Sequence, residues 1–277
     1  MIFFNDKLAK QFRGFCNTNQ IFIDSPIDGV NLFPWDTDLS KEMTLDGADI
    51  SDALMLGKRA ERFFSEWIEI NGEYEILKEG IQIFYGKETL GEFDFLLKEL
   101  ATNRIIHLEM VYKFYLFDKN HSEKWIGPNR KDFVQSKLDK LNDKQFPLLH
   151  SIQGNEKLKE FGISDVPISQ ELLFLGKLFL PFDNSFELNG LNKLSIQGYW
   201  FYFNNFMNYL DDSLAFIPKK QDWLQDGNFN EEWKSSSEIR EELVYYLSNK
   251  RSPLIWIKRN DRVESAFVVW WDEHALI

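Results

Sequence analysis

The sequence contains TLGEFDFLL at residues 89–97, followed by IIHLEMVYKFYL at residues 105–116. Apolar residues alternate along both stretches, and a period of two is typical of β-strands. In the second stretch one face is apolar throughout, whereas the other carries His107, Glu109 and Lys113. If a turn at residues 100–103 joins the two strands, their pairing places Asp94 opposite Glu109.

The flanking segments predict an α/β (α+β) core of helix, three antiparallel strands, helix and a further strand. Apolar residues recur at intervals of three and four over 53–67, which predicts an amphipathic helix. Residues 81–85 predict the strand that precedes 89–97, with a tight turn at 86–88. Helical spacing returns at 133–145, and the apolar run 172–182 predicts the last strand.

We expect three consecutive segments in the chain. Residues 1–52 form an irregular lead-in with a short helix, residues 53–182 form the core, and residues 183–277 form an aromatic-rich α+β extension packed on it. Within the extension, a strand is expected at 196–203, a helix at 238–247 with a capping box from Ser235 to Glu238, and a hairpin at 254–271 turning at 260–261. The aromatic run at 199–203 is expected to pack in a core, since base stacking is the less common role.

Composition excludes several classes of protein. The 277 residues carry a formal charge of −12, which excludes a pervasively basic nucleic-acid coat protein. A single cysteine, Cys16, excludes an internal disulfide framework and a zinc site built from several thiolates. The N-terminus lacks the pattern of a signal peptide, and no apolar run is long enough to span a bilayer. We therefore expect a cytoplasmic protein without membrane contact, and the sequence leaves a homo-oligomer open.

Asp94 and Glu109 are the strongest candidates for a functional site. Opposed side chains on one face of an antiparallel pair have Cβ atoms about 5 Å apart. Two carboxylates at this distance repel each other unless a cation lies between them, and Mg²⁺ or Mn²⁺ suits a set of oxygen ligands. The alternative is a solvated sheet face that happens to carry one Asp and one Glu.

The segments 56–61, 91–97 and 107–113 resemble the catalytic core of the PD-(D/E)XK nuclease superfamily. Together with 125–129 and 198–200 they resemble an uncharacterised bacterial domain-of-unknown-function family assigned to that superfamily. The resemblance implies Mg²⁺-dependent hydrolysis of phosphodiester bonds in DNA or RNA, with Asp94, Glu109 and Glu61 as metal ligands and Lys113 as the catalytic lysine. For Glu61, a plain solvated helix glutamate is the alternative, and Gly57 is expected to let the sheet approach this helix face.

The position of Lys113 departs from the motif. The motif separates acid and lysine by one residue, whereas three residues separate Glu109 from Lys113, about 13 Å along a regular strand. A β-bulge, a side chain that leans back, or replacement by Lys137 on the following helix would each restore the cation. If none does, the chain is a catalytically inactive nuclease-fold protein that binds or interacts, which is the alternative function.

The segment 119–144 is basic in an acidic chain and is the candidate nucleic-acid surface, with Arg130, Lys131 and Lys137 as its main residues. Its alternative is an ordinary solvated helix face. Three further polar residues share the candidate site's faces or end the basic helix: His107, Glu92 and Gln145. Each has a structural alternative, as a hydrogen-bonded sheet histidine, an edge residue and a helix cap respectively.

Overall fold

A computed structural model describes residues 7–36, 50–122, 124–182 and 190–271. Residues 1–6 and 37–49 of the expected lead-in, and the start and end of the expected extension at 183–189 and 272–277, lie outside this description. The helices are α1 Lys7–Cys16, α2 Leu56–Asn71, α3 Val134–Lys140, α4 Phe146–Leu148, α5 Ile152–Glu160, α6 Phe203–Leu210 and α7 Ser236–Ser248. The strands are β1 Asn31–Leu32, β2 Tyr74–Tyr85, β3 Glu88–Glu99, β4 Ile105–Phe117, β5 Trp125–Ile126, β6 Ile168–Pro181, β7 Ile196–Phe201, β8 Leu214–Phe216, β9 Leu254–Arg259 and β10 Arg262–Val268.

The protein is mixed α/β with a ten-stranded sheet. Its residues divide into two compact units. Unit 1 comprises Met1–Ile21, Lys113–Val134 and Gly176–Ile277, and unit 2 comprises Phe22–Tyr112 and Gln135–Leu175. Strands β4 and β6 contribute residues to both units. The three consecutive segments expected from the sequence remain a prediction.

Unit 2 is built on the antiparallel succession β2, β3 and β4, followed in the sheet by β6, which also pairs with β1. The observed pairs include Phe95 with Leu108 and Leu97 with Ile106, which confirms the expected register. A core of Ile83, Phe93 and Leu96 from the strands packs with apolar residues of the helices that follow β4. The expected element order of helix, three strands, helix and strand is therefore present.

Helix α2 packs against the rest of unit 2 through its buried aromatic face. Phe64 is fully buried, and its ring lies 4.9 Å from that of Phe95, 5.7 Å from Phe33 and 5.9 Å from Trp67, measured between centroids. The helix ends at Gly72, whose φ of 71° is the left-handed conformation that glycine adopts without strain. This packing fixes the rotation of α2 and therefore where its polar residues point.

Unit 1 contains the strand order β6, β7, β10, β9 and β8, with β7 and β10 parallel. The hairpin of β9 and β10 turns at residues 260–261, and the Ser235–Glu238 capping box begins α7, so both expectations are confirmed. The aromatic run at 199–203 contributes Phe201 and Phe203 to the apolar core. No helix among the residues described is long and apolar enough to cross a membrane.

Candidate metal centre

Asp94 of β3 and Glu109 of β4 lie on the same side of the sheet. The observed strand pairing extends to Phe95 with Leu108, the residues next to them, and one carboxyl oxygen of Asp94 accepts a hydrogen bond of 2.9 Å from the backbone N–H of Met110. The backbone N–H of Asp94 in turn donates to the Glu109 carboxyl group, and the two carboxyl groups lie within hydrogen-bonding distance of each other, a contact that needs a proton on one of them. The pair thus meets at one point of unit 2.

Two further carboxylates complete the cluster. Oxygens of Glu61, Glu92 and Asp94 all lie within 4.8 Å of one another. Glu61 comes from α2, and Glu92 is two residues before Asp94 on β3, where alternation puts both on one face. The expected role of Gly57 is wrong, because a Cβ atom built there meets no heavy atom within 4 Å.

This arrangement fits a hard divalent cation. An octahedral Mg²⁺ with bonds of about 2.1 Å places its ligand oxygens roughly 3–4.2 Å apart, so side-chain adjustments below an ångström would suffice. Carboxylate oxygens are ligands that suit Mg²⁺ or Mn²⁺. Glu61, Glu92 and Asp94 are therefore the residues that could hold the ion, with Glu109 beside them.

Lys58 meets two of these carboxylates. Its Nζ lies 2.7 Å from Glu61 and 2.8 Å from Glu92. The side chain is 46% exposed, so it can swing away into solvent at little cost. Lys58 thus balances the acidic cluster and can yield its place to a metal ion.

Glu109 is fully buried and held at both oxygens. One accepts from His107 at 3.0 Å, and the other accepts from the side-chain amide of Gln145. The Gln170 amide donates to the Phe146 carbonyl at 2.7 Å and contacts the His107 Nδ1 at 3.3 Å. Since an amide N–H₂ group can only donate, Nδ1 accepts and the other ring nitrogen donates to Glu109.

A π-helical segment, Leu141–Gln145, places the Gln145 side chain. In a regular α-helix Lys137 and Gln145 would point about 80° apart, and the one extra residue of a π turn reduces this to roughly 20°. The Lys137 ammonium accordingly donates to the side-chain amide oxygen Oε1 of Gln145 at 3.1 Å. Lys137 also stabilises the charged forms of both Asp94 and Glu109, so its cation lies near this pair.

Burial dominates the electrostatics of the cluster. It raises the pKa of Asp94 to about 7, with the neighbouring charge of Glu109 as the second cause. It likewise raises the pKa of Glu61 to about 7, against the opposing effect of the hydrogen bond from Lys58. Burial also raises the pKa of Glu109, and it lowers the pKa of His107 to about 4, so this imidazole is neutral at pH 7.

Metal affinity should therefore rise with pH. At pH 6, protons compete with the cation at Asp94 and Glu61, whose pKa values are both about 7, whereas at pH 8 both groups are ionised. We expect the Kd for Mn²⁺ to fall about tenfold for each of the two carboxyl groups between these pH values. Calorimetry in two buffers of different ionisation enthalpy measures the proton release. A Kd that does not change with pH would show that these carboxyls do not hold the ion.

The remaining candidate residues have other contacts. Lys113 belongs to unit 1, where its Nζ is paired with Asp132 at 2.5 Å. Arg130, also in unit 1, lies 5.0 Å from the ring centroid of Trp271 and 3.8 Å from Asp118, and Lys131 is exposed. Lys137 belongs to unit 2 and combines the basic character expected of it with a place beside the carboxylates.

The sequence analysis did not identify Lys58, the counter-ion of the cluster. It named Glu92 and Gln145 but gave them no part in the candidate metal centre. Lys58 is three residues before Glu61, a spacing that brings helix side chains together and was the available signal. Glu92 is two residues before Asp94, and the alternation of side chains along a strand predicts that the two share a face. Gln145 could not be placed, because helical spacing alone does not reveal the π turn.

Comparison with known proteins assigns a family. No curated protein and no solved structure matches the chain. The model of a family described as a domain of unknown function, DUF1853, matches residues 30–274. This match covers most of the chain, including both strands and the helix that carry the carboxylates. The chain is thus a member of the DUF1853 family.

Proposed function

We propose that this protein is a divalent-metal-dependent nuclease that hydrolyses phosphodiester bonds of DNA or, less commonly, RNA. The observation that carries the proposal is the convergence of Glu61, Glu92 and Asp94 within 4.8 Å, with Glu109 adjacent. Burial, with a further contribution from neighbouring carboxylates, raises the pKa values of Glu61 and Asp94 to about 7, and a bound divalent cation would favour their ionised forms. When bound, Mg²⁺ supplies charge neutralisation at the phosphate and lowers the pKa of bound water.

The order of elements supports a PD-(D/E)XK-type core. Helix α2, the antiparallel strands β2 to β4, the helices after β4 and strand β6 follow one another as that superfamily's core requires. Asp94 and Glu109 occupy the positions of the second-strand and third-strand acids, and Glu61 that of the first-helix acid. The superfamily assignment rests on this order and on the resemblance of the motifs.

Lys137 takes the part of the displaced lysine in this proposal. Lys113 pairs with Asp132, whereas the Lys137 ammonium stabilises both Asp94 and Glu109 as anions and is oriented by Gln145. A cation at this place would orient the attacking water or balance charge that develops on the phosphate. Lys137 thereby replaces the motif lysine through the helix that follows β4.

Exchange of each lysine for methionine separates these two roles. We expect Lys137→Met to lower metal-dependent cleavage about 10²-fold, whereas Lys113→Met changes it by no more than a few fold. Removal of a nearby cation leaves the carboxylates and strengthens Mn²⁺ binding, so Lys137→Met should lose cleavage while metal binding is kept. Single-turnover cleavage and calorimetry measure the two quantities. Loss of cleavage in Lys113→Met alone would assign the role to Lys113.

Recognition of nucleic acid would use the basic segment that includes Arg130, Lys131 and Lys137. Phosphate contacts are electrostatic and weaken with salt. The acidic charge of the whole chain, −12, restricts such contacts to a local surface. Arg130 is held over Trp271 and near Asp118, so its guanidinium is oriented before any ligand arrives.

A second function, interaction without cleavage, is favoured by the ion pairs and hydrogen bonds that the carboxylates of the cluster already form with neighbouring side chains. Lys58 forms ion pairs with both Glu61 and Glu92, and both oxygens of Glu109 already have hydrogen-bond donors. An acidic network with internal counter-ions is stable without a metal ion. In this case the protein would bind a partner through a nuclease-like fold.

One experiment decides between the two functions. The full chain is titrated with Mg²⁺ or Mn²⁺ and incubated with linear double-stranded DNA, single-stranded DNA and structured RNA. The nuclease proposal expects saturable metal binding and cleavage that EDTA abolishes. Absence of metal affinity in the wild-type protein would favour the interaction protein.

A further inference from the structure

Unit 1 contains a cavity of about 440 Å³, within the usual range for small-molecule sites of roughly 300–1,000 Å³. Its walls come from α1, β6, β7, β9 and β10 and from the segment around residue 226. The polar groups in the lining include Asn17, Lys177, Gln197, Tyr199, Asp226 and Glu264. This cavity shares no residue with the candidate metal centre.

Lys177 of β6 supplies the positive charge in the described lining of the cavity, which also contains the carboxylates of Asp226 and Glu264. Its ammonium donates to the Trp223 carbonyl at 3.3 Å and lies 5.9 Å from the ring centroid of Phe114. An ammonium group has three donors, so within the described part of the chain two are left for a ligand. Burial lowers the pKa of Lys177 to about 8, and the charge of Asp226 partly opposes this. The group is therefore a cation at neutral pH, on a side chain that is partly exposed.

Aromatic and acidic groups also line the cavity. The Tyr209 hydroxyl donates to Glu264 at 2.6 Å, and the Tyr209 ring lies 4.8 Å from that of Phe201. Tyr199 is 46% exposed. One oxygen of Asp226 accepts from the backbone and side chain of Asn228 at 2.9 and 2.8 Å. The second oxygens of Asp226 and Glu264 can accept hydrogen bonds from hydroxyl or amino groups of a ligand.

We propose that this cavity binds a small anionic metabolite of the nucleoside monophosphate class. The anionic group would lie at Lys177, because an ammonium that is buried with few acceptors gains most from a counter-ion. Hydroxyl and amino groups would donate to the Asp226 and Glu264 carboxylates. The ring would lie against the exposed face of Tyr199, as aromatic side chains favour planar ligands. The inference is independent of the proposed nuclease activity.

Calorimetry on the full chain with AMP, adenosine and inorganic phosphate tests the proposal. We expect AMP to bind saturably with a Kd below about 1 mM, and adenosine, which lacks the anionic group, to bind at least about tenfold more weakly. Lys177→Met should weaken AMP binding at least about tenfold. Lys193→Met, which alters an exposed lysine of the same unit, should leave AMP binding unchanged.

Two further measurements keep the test independent of folding. Tyr199→Ala removes an exposed side chain, so it should weaken AMP binding about three- to tenfold while leaving phosphate binding unchanged. Thermal unfolding of Lys177→Met should match or exceed that of the wild type, because a buried charge is removed. Failure of AMP to bind, equal affinity in Lys177→Met, or equal affinities for AMP and phosphate would each overturn the assignment.

Discussion

Asp94→Asn is expected to abolish metal-dependent cleavage and to weaken Mn²⁺ binding strongly. Asp94 belongs to the carboxylate triad and also contacts Glu109, so the substitution removes the one carboxylate that the two parts of the cluster share. Loss of a direct ligand should cost at least as much metal affinity as loss of a ligand's hydrogen-bond partner, which is about 10–100-fold. The loss of turnover should reach about 10²- to 10³-fold or more.

Asparagine is the appropriate replacement because it keeps the size of the side chain and an oxygen that accepts from the Met110 N–H. It also removes a buried carboxyl group whose pKa burial has raised to about 7, so folding should not suffer. Asp165→Asn is the matched control, since Asp165 is an exposed aspartate of the same unit. Calorimetry measures Mn²⁺ affinity, and a gel assay with linear and single-stranded DNA measures cleavage. Unchanged cleavage in Asp94→Asn would refute the nuclease proposal.

Phe64→Ala is expected to produce the largest loss of stability. Phe64 is fully buried and contacts aromatic rings of Phe33, Trp67 and Phe95. Truncation of such a side chain removes apolar burial and leaves a cavity, which costs about 3–5 kcal/mol in the free energy of unfolding. Urea denaturation followed by circular dichroism and tryptophan fluorescence measures the change.

Phe84→Ala is its matched control. Phe84 lies in β2 with 47% of its side chain exposed, so the same truncation should cost less than about 0.5 kcal/mol. Phe64→Leu keeps most of the apolar volume and should lose only about 1–1.5 kcal/mol. Equal effects for Phe64→Ala and Phe84→Ala would show that the aromatic face of α2 does not anchor the helix.

The prediction for metal binding and the prediction for stability are connected through helix α2. The helix carries Glu61 one turn before Phe64, so the packing of Phe64 sets the position of this candidate metal ligand. Phe64→Ala should therefore weaken Mn²⁺ binding even under conditions in which most molecules remain folded. Hydrogen exchange of the α2 amides distinguishes local loosening of the helix from global unfolding.

Periodicity along the chain was sufficient to predict the secondary structure of unit 2 and the register between strands β3 and β4. Alternation in 89–97 and 105–116 gives each side chain a face, and a short turn leaves only one register that buries the apolar faces. The prediction that Asp94 and Glu109 lie close together followed from this register. The hairpin at 254–268 and the capping box at Ser235 could also be predicted from the sequence, because each depends on residues that are close along the chain.

The set of residues that form the acidic cluster could not be predicted from periodicity. Which carboxylates converge depends on the rotation of α2 over the sheet, and this rotation is set by aromatic packing with residues as distant as Phe33. The choice of Lys137 over Lys113 as the nearby cation depends on a π turn and on Gln145, which is 36 residues from Glu109 in the chain. Local sequence therefore determined the faces of the strands, and tertiary structure decided which charges share a point, because electrostatic contacts form between side chains whose distance in space the chain pattern does not encode.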